Sequence, residues 1–244
     1  MKENEKPLGA RLGEAGFCIL YLLVLIIFIF ILKGKWSVAD ADSLINTERS
    51  RYFFGFLLTL LLLMGDSFHL IPRIMVNLRG SISQQGFFLG LGNLISSITM
   101  TLFYNILIRV GDSMEYHAGT ESQTAAYNLW VEQAILWLTV IRIILLLFPQ
   151  NRWFSSEGSV KWAWIRNLPF VLIGILTIIG YLRVISHAMN YGTGIYIQII
   201  LAVILSFLTY LPVAVYGKLR PKLGMLMIPK TLCYVWILAV ITFG

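Results

Sequence analysis

Residues 52–74 read YFFGFLLTLLLLMGDSFHLIPRI, and two properties of this stretch decide the fold. It is long and apolar enough to cross a hydrocarbon core roughly 30 Å thick as a helix of about 20 residues. Its second half nevertheless carries Asp66, His69 and Arg73. Each such group costs roughly 2.5 kcal/mol or more at the centre of a membrane helix, so together they read as a functional site. Positions i, i+3 and i+7 place the three on one stripe. If Tyr52 lies at the outer surface, a rise of 1.5 Å per residue puts Asp66 about 21 Å down, in the inner half. Arg73 then reaches the inner interface, where its long side chain can snorkel. Pro72 removes the helical bond to the Phe68 carbonyl and predicts a kink. Irregular backbone at that depth belongs beside protein or water, not lipid.

Six further stretches repeat the apolar pattern, giving spans at 16–32, 52–74, 87–108, 127–148, 168–185, 194–216 and 225–243. The chain is 58% hydrophobic and only 13% charged, against about 25% charged in a soluble domain. The expected fold is all-α, one transmembrane domain over 1–244, a polytopic bundle of seven helices. The first span is too long for a secretion signal, and Lys33-Gly34-Lys35-Trp36 follows it where a small-residue cleavage site would stand. Cys18 and Cys233 fall inside spans and suggest neither a disulfide framework nor a structural zinc site.

The net charge of +7 reads as basic residues flanking spans, not as a nucleic-acid surface. Lys2, Lys6 and Arg11 precede the first span. Arg79, then Arg152, Lys161 and Arg166, then Lys218, Arg220 and Lys222 follow the second, fourth and sixth. The link after the fifth span has no Lys or Arg, and the link after the third holds Asp112, Glu115 and Glu121. This bias predicts the N-terminus inside and the C-terminus outside, although Lys33, Lys35, Arg49 and Arg51 after the first span oppose it. Trp36, Tyr127, Trp130, Trp153, Trp162 and Trp164 sit near span ends and read as interfacial anchors. The link 109–126 reads as a solvated loop rather than a lid. The absence of an internal repeat speaks against an inverted-repeat transporter.

Other spans bring polar groups to the depth of Asp66. Asn93 lies about 9 Å from the inner end of the third span, and Lys230 about 8 Å from the inner end of the seventh. Thr209 and Tyr210 are in the inner half of the sixth. The expectation is a polar chamber lined by Asp66, His69, Asn93, Thr209 and Lys230. The alternative is an Asp66–Lys230 ion pair that only fastens two spans. Ser96, Ser97, Thr99 and Thr101 read as a close-packing row. Arg142 reads as a snorkelling residue, while His117 and His187 read as solvated. The three histidines are scattered, so zinc hydrolysis lacks its ligands. No Walker loop, nucleophile elbow or dinucleotide fingerprint is present, and no cofactor is expected.

The string Gly65-Asp66-Ser67-Phe68-His69-Leu70-Ile71-Pro72-Arg73 resembles the Gly-Asp-x-x-x-Leu-Leu-Pro-Arg segment of the bacterial lysoplasmalogenase family. Gly86-Phe87-Phe88-Leu89-Gly90-Leu91 resembles the start of that family's next helix, and Cys233-Tyr234 is similar to a pair in its last helix. The resemblance implies an intramembrane hydrolase of vinyl-ether lysolipids in a bacterial plasma membrane, with Asp66 as the first acidic residue. The family's next-helix histidine falls near Ile98 or Thr99 here, its early Lys-Pro pair has no counterpart, and its late Ser-Asp pair is replaced by Ser206-Phe207. Three functions follow from the sequence. In a lipid hydrolase, Asp66 and His69 handle protons, while Arg73, Asn93, Thr209 and Lys230 bind substrate. In a non-catalytic transporter or binding protein, the same chamber holds a lipid or small molecule. In a structural protein, Asp66 clamps Lys230.

Overall fold

In the computed structural model, residues 8–39, 47–79, 85–115, 124–155, 159–187, 193–217 and 219–244 are described. They form seven long α-helices: α1 (Leu8–Val38), α2 (Thr47–Arg79), α3 (Gln85–Glu115), α4 (Thr124–Leu147), α5 (Val160–His187), α6 (Thr193–Tyr216) and α7 (Met227–Phe243). All seven are long and apolar enough to cross a membrane. This is a multi-pass, all-α bundle, and the chain is an integral membrane protein by the length and composition of its helices.

Most helices outrun the spans read from hydropathy. The 31 residues of α1 extend 16–32 at both ends; at 1.5 Å per residue they measure about 46 Å, well beyond the hydrocarbon core. The apolar run marks only the lipid-facing middle, while the helix continues through charged residues in the interface. In the link 109–126, α3 runs on to Glu115, and residues 116–123, where a lid was weighed, lie outside the described residues. His117 and Lys218 lie outside them too. The start of α5 moves from 168 to Val160, as far as that of α1, with Pro169 inside the helix. At the start of α7, a 3₁₀ turn over Pro221–Leu226 occupies Met225, and the α-helix begins at Met227. Pro229 then falls in the first turn, where a missing N–H costs nothing.

Successive helices pack side by side, and α7 closes the bundle against α1 and α2. The tightest approach is between α2 and α3, at glycines. A Cβ on Gly92 would lie 2.8 Å from the Cα of His69, and one on Gly65 would lie 2.8 Å from the Cβ of Thr99. Small residues allow this approach where no hydrophobic drive exists between helices. The Phe68 carbonyl, deprived of its helical N–H by Pro72, faces Gly92 and not lipid. Helix α2 is unbroken through Pro72. The core is aromatic, with Tyr104 and Phe207 both packed on Phe170, at 5.3 and 4.8 Å between ring centroids.

Candidate functional site

The carboxylate of Asp66 is buried at 9% exposure and held by two hydroxyls. Tyr21 of α1 donates to Oδ2 at 2.6 Å, and Ser96 of α3 donates to Oδ1 at 3.4 Å. The first is a short, charge-assisted bond; the second is weak. Asp66 and Lys230 form no ion pair. Lys230 projects between two rings, 4.9 Å from the Tyr210 centroid and 5.4 Å from that of Tyr234. It makes no hydrogen bond or direct salt bridge among the described residues, although the Asp66 carboxylate is close enough to act on it through its charge. The link between α2 and α7 is thus electrostatic at a distance: hydroxyls hold Asp66, and aromatic faces flank the ammonium.

One turn further along α2, His69 and Arg73 line a hollow of about 230 Å³. The sizes of ligand pockets start at roughly 300 Å³, so this space suits a headgroup or small ion better than a whole lipid. Asn93, Ser96 and Ser97 of α3 form one wall, and Tyr210 and Lys230 face them from α6 and α7. The remaining wall comes from Asn151, Trp153 and Arg166, around the connection between α4 and α5. Of the chamber residues expected from sequence, His69, Asn93 and Lys230 meet here, joined by Arg73. Two do not line it. Asp66 stands one hydroxyl behind the wall, beyond Ser96. Thr209 turns its hydroxyl onto its own helix, to the carbonyls of Leu205 at 2.9 Å and Ser206 at 3.1 Å. The lining residue is its neighbour Tyr210, about 100° further round the helix.

The cations of the hollow differ in how they are compensated. Arg73 pairs with Glu14 of α1 through Nε. Arg166 donates from Nη1 to Asn151 Oδ1 at 3.1 Å and lies 4.4 Å over the Trp153 ring. Arg166 and Lys230 thus have no carboxylate partner among the described residues, and no carboxylate lines the hollow. The Nδ1 of His69 is buried without a hydrogen-bond partner among the described residues. The arrangement can receive an anion.

Two features escaped the sequence reading. Arg166 was counted among orientation residues because the fifth span was started after it. Trp153 was taken as an interfacial anchor, yet its ring supports Arg166 and its Nε1 donates to Leu146 O at 2.9 Å. Asn151 organises this corner: its Nδ2 donates to Leu145, Leu146 and Phe148 carbonyls at 2.7, 3.1 and 2.9 Å. It thereby satisfies the last carbonyls of α4 and leaves Oδ1 free to accept from Arg166. A legible signal was the run Pro149-Gln150-Asn151-Arg152, a helix stop with an Asx residue.

Arg142 does not snorkel. It is 0% exposed, with its guanidinium 3.4 Å from the Phe170 ring centroid and Nη2 3.5 Å from the Tyr210 hydroxyl. Its Nε and Nη1 have no hydrogen-bond partner among the described residues. Tyr210 in turn donates to Asn167 Oδ1 at 3.1 Å, which ties this guanidinium to the wall of the hollow. No family model matches the chain, and neither the curated proteins nor the solved structures give a match.

Proposed function

We propose that this membrane protein binds a ligand through its anionic group, held in the hollow between α2, α3, α5, α6 and α7. The observation that carries this reading is the imbalance of the lining: among the described residues, Arg166 and Lys230 face the cavity with no carboxylate in salt-bridge contact. Unpaired buried cations cost several kcal/mol each, and a bound anion removes that cost. The ligand class is a membrane lipid headgroup or a small anion, and the size of the hollow leaves any acyl chain in the bilayer. The Lys and Arg bias places this end of the bundle on the cytoplasmic side. A reporter after Gly244 that proves cytoplasmic overturns that orientation.

The test is titration of purified protein in detergent with sodium sulfate, read by calorimetry. Binding by wild type that Lys230→Met weakens supports the reading, and no binding at any concentration sinks it.

A second reading is a lipid hydrolase, in keeping with the lysoplasmalogenase resemblance. Its support is the place of His69 in the lining, with a buried Nδ1 that has no hydrogen-bond partner among the described residues, and the position of Asp66 behind Ser96. Protonation of a vinyl ether at carbon needs a proton donor within reach, and these two groups are the candidates. Release of aldehyde from a lysoplasmalogen by wild type, abolished in Asp66→Asn and His69→Gln, supports hydrolysis. No release by wild-type protein that binds the anion leaves only the binding function.

A further inference from the structure

The charge around the hollow has a specific sum. Arg73, Arg166 and Lys230 line it, and Arg142 stands behind the Tyr210 wall. Against these four cations there are, among the described residues, two carboxylates, Glu14 on Arg73 and Asp66 behind Ser96. With His69 neutral, two positive charges remain. Arg142 supplies one of them, although it touches no part of the cavity. It is the largest fully buried side chain among the described residues, and its partners are a ring face and one phenol. Neither cancels its charge. In a low-dielectric interior a charge acts at distances where water would screen it.

We infer that Arg142 sets the charge preference of the hollow, which is matched to a doubly charged oxyanion; without Arg142 it is matched to a singly charged one. This rests on the reading of the hollow as an anion site. Arg142 is a specificity residue acting through its field. The ring of Phe170 and the hydroxyl of Tyr210 hold the guanidinium at a fixed distance from the ligand. The preferred ligand is then sulfate-like or a phosphate monoester, free or at the end of a lipid, in preference to a chloride, a carboxylate or a phosphodiester headgroup.

The experiment compares sodium sulfate with sodium methanesulfonate, two tetrahedral anions of similar shape that differ by one charge. Full-length protein in detergent is titrated with each at constant ionic strength. Wild type is expected to prefer sulfate by at least about tenfold, the effect of one charge at about 10 Å with an effective dielectric of about 20. Arg142→Gln should cut that preference by about tenfold, the share of one charge, and Arg142→Lys, which keeps the charge, should retain it. A merely structural Arg142 predicts weaker binding of both anions with the ratio unchanged, and that result overturns the inference. If Arg142→Gln does not fold, the other two proteins still decide: no preference in wild type, or a preference lost in Arg142→Lys, overturns it. Wild type that binds neither anion fails the anion site itself, a distinct outcome. A second arm compares glycerol phosphate with a short-chain phosphatidate, which carry the same dianion. Tighter binding of either supports the charge match and names the source, and binding of neither overturns it.

Discussion

At the end of the bundle opposite the hollow, Lys35 donates to Thr242 O at 2.6 Å, and Arg51 donates to Ile241 O at 2.8 Å and Val240 O at 3.1 Å. These carbonyls close α7, where the macrodipole is negative; Val240 O also accepts from Gly244 N, while the carbonyls beyond it lack helical donors. At the hollow end, Lys230 and Arg166 rest on aromatic rings and face empty space. The same residue types therefore do two jobs in one molecule. Cations spent on the carbonyls that end a helix are structural, and cations that keep donors turned to the hollow are left available. Counting basic residues per link cannot tell these apart, because the difference lies in what each ammonium or guanidinium reaches.

This comparison can be broken most forcefully at the α2–α3 contact behind His69. Gly92→Ala drives a methyl into the backbone of His69 and should cost about 3 kcal/mol by overpacking, measured by thermal unfolding in detergent. A neutral result would mean that α2 and α3 part without penalty. Next, Lys230→Met should weaken sulfate binding about thirtyfold, or about 2 kcal/mol, the scale of one charge-assisted hydrogen bond, with the protein still folded. Unchanged affinity would make Lys230 structural after all. The mirror experiment, Arg51→Met, should cost about 1.5 kcal/mol of stability by orphaning α7 carbonyls and leave sulfate affinity unchanged. A loss of affinity there would erase the distinction between the ends. The smallest effect belongs to the half-exposed pair of Arg109 and Glu132, 3.0 Å apart. Arg109→Gln should change stability by less than about 0.5 kcal/mol, since exposed ion pairs are screened.

Seven membrane helices were legible because apolar runs of spanning length have few other meanings. Depth along each helix was legible too: His69, Asn93 and Lys230 do meet at the end predicted for them. The rotation of each helix was not. Thr209 and Tyr210 are adjacent in sequence, and only the neighbours of α6 decide which one faces inward. Asp66 shows the same limit, since its donor Tyr21 lies on α1, far away in the chain. Arg142 was misread because an arginine near a span end ordinarily reaches the interface; its burial depends on Phe170 and Tyr210, which no local pattern announces. Arg166 escapes the apolar run that begins at 168, because the helix starts eight residues earlier, at Val160.

The glycine contacts between α2 and α3 bear on how the chain enters the bilayer. Before α3 joins it, α2 has only the Tyr21 hydroxyl of α1 for Asp66 and leaves a Phe68 carbonyl without its helical donor. Paired with α3, it hides the carbonyl against Gly92 and gains the hydroxyl of Ser96 for the carboxylate. Only five residues, 80–84, separate the two helices. Biogenesis thus favours integration of the two as a single helical hairpin, and a nascent chain cut after Arg79 should integrate less completely than one cut after Glu115.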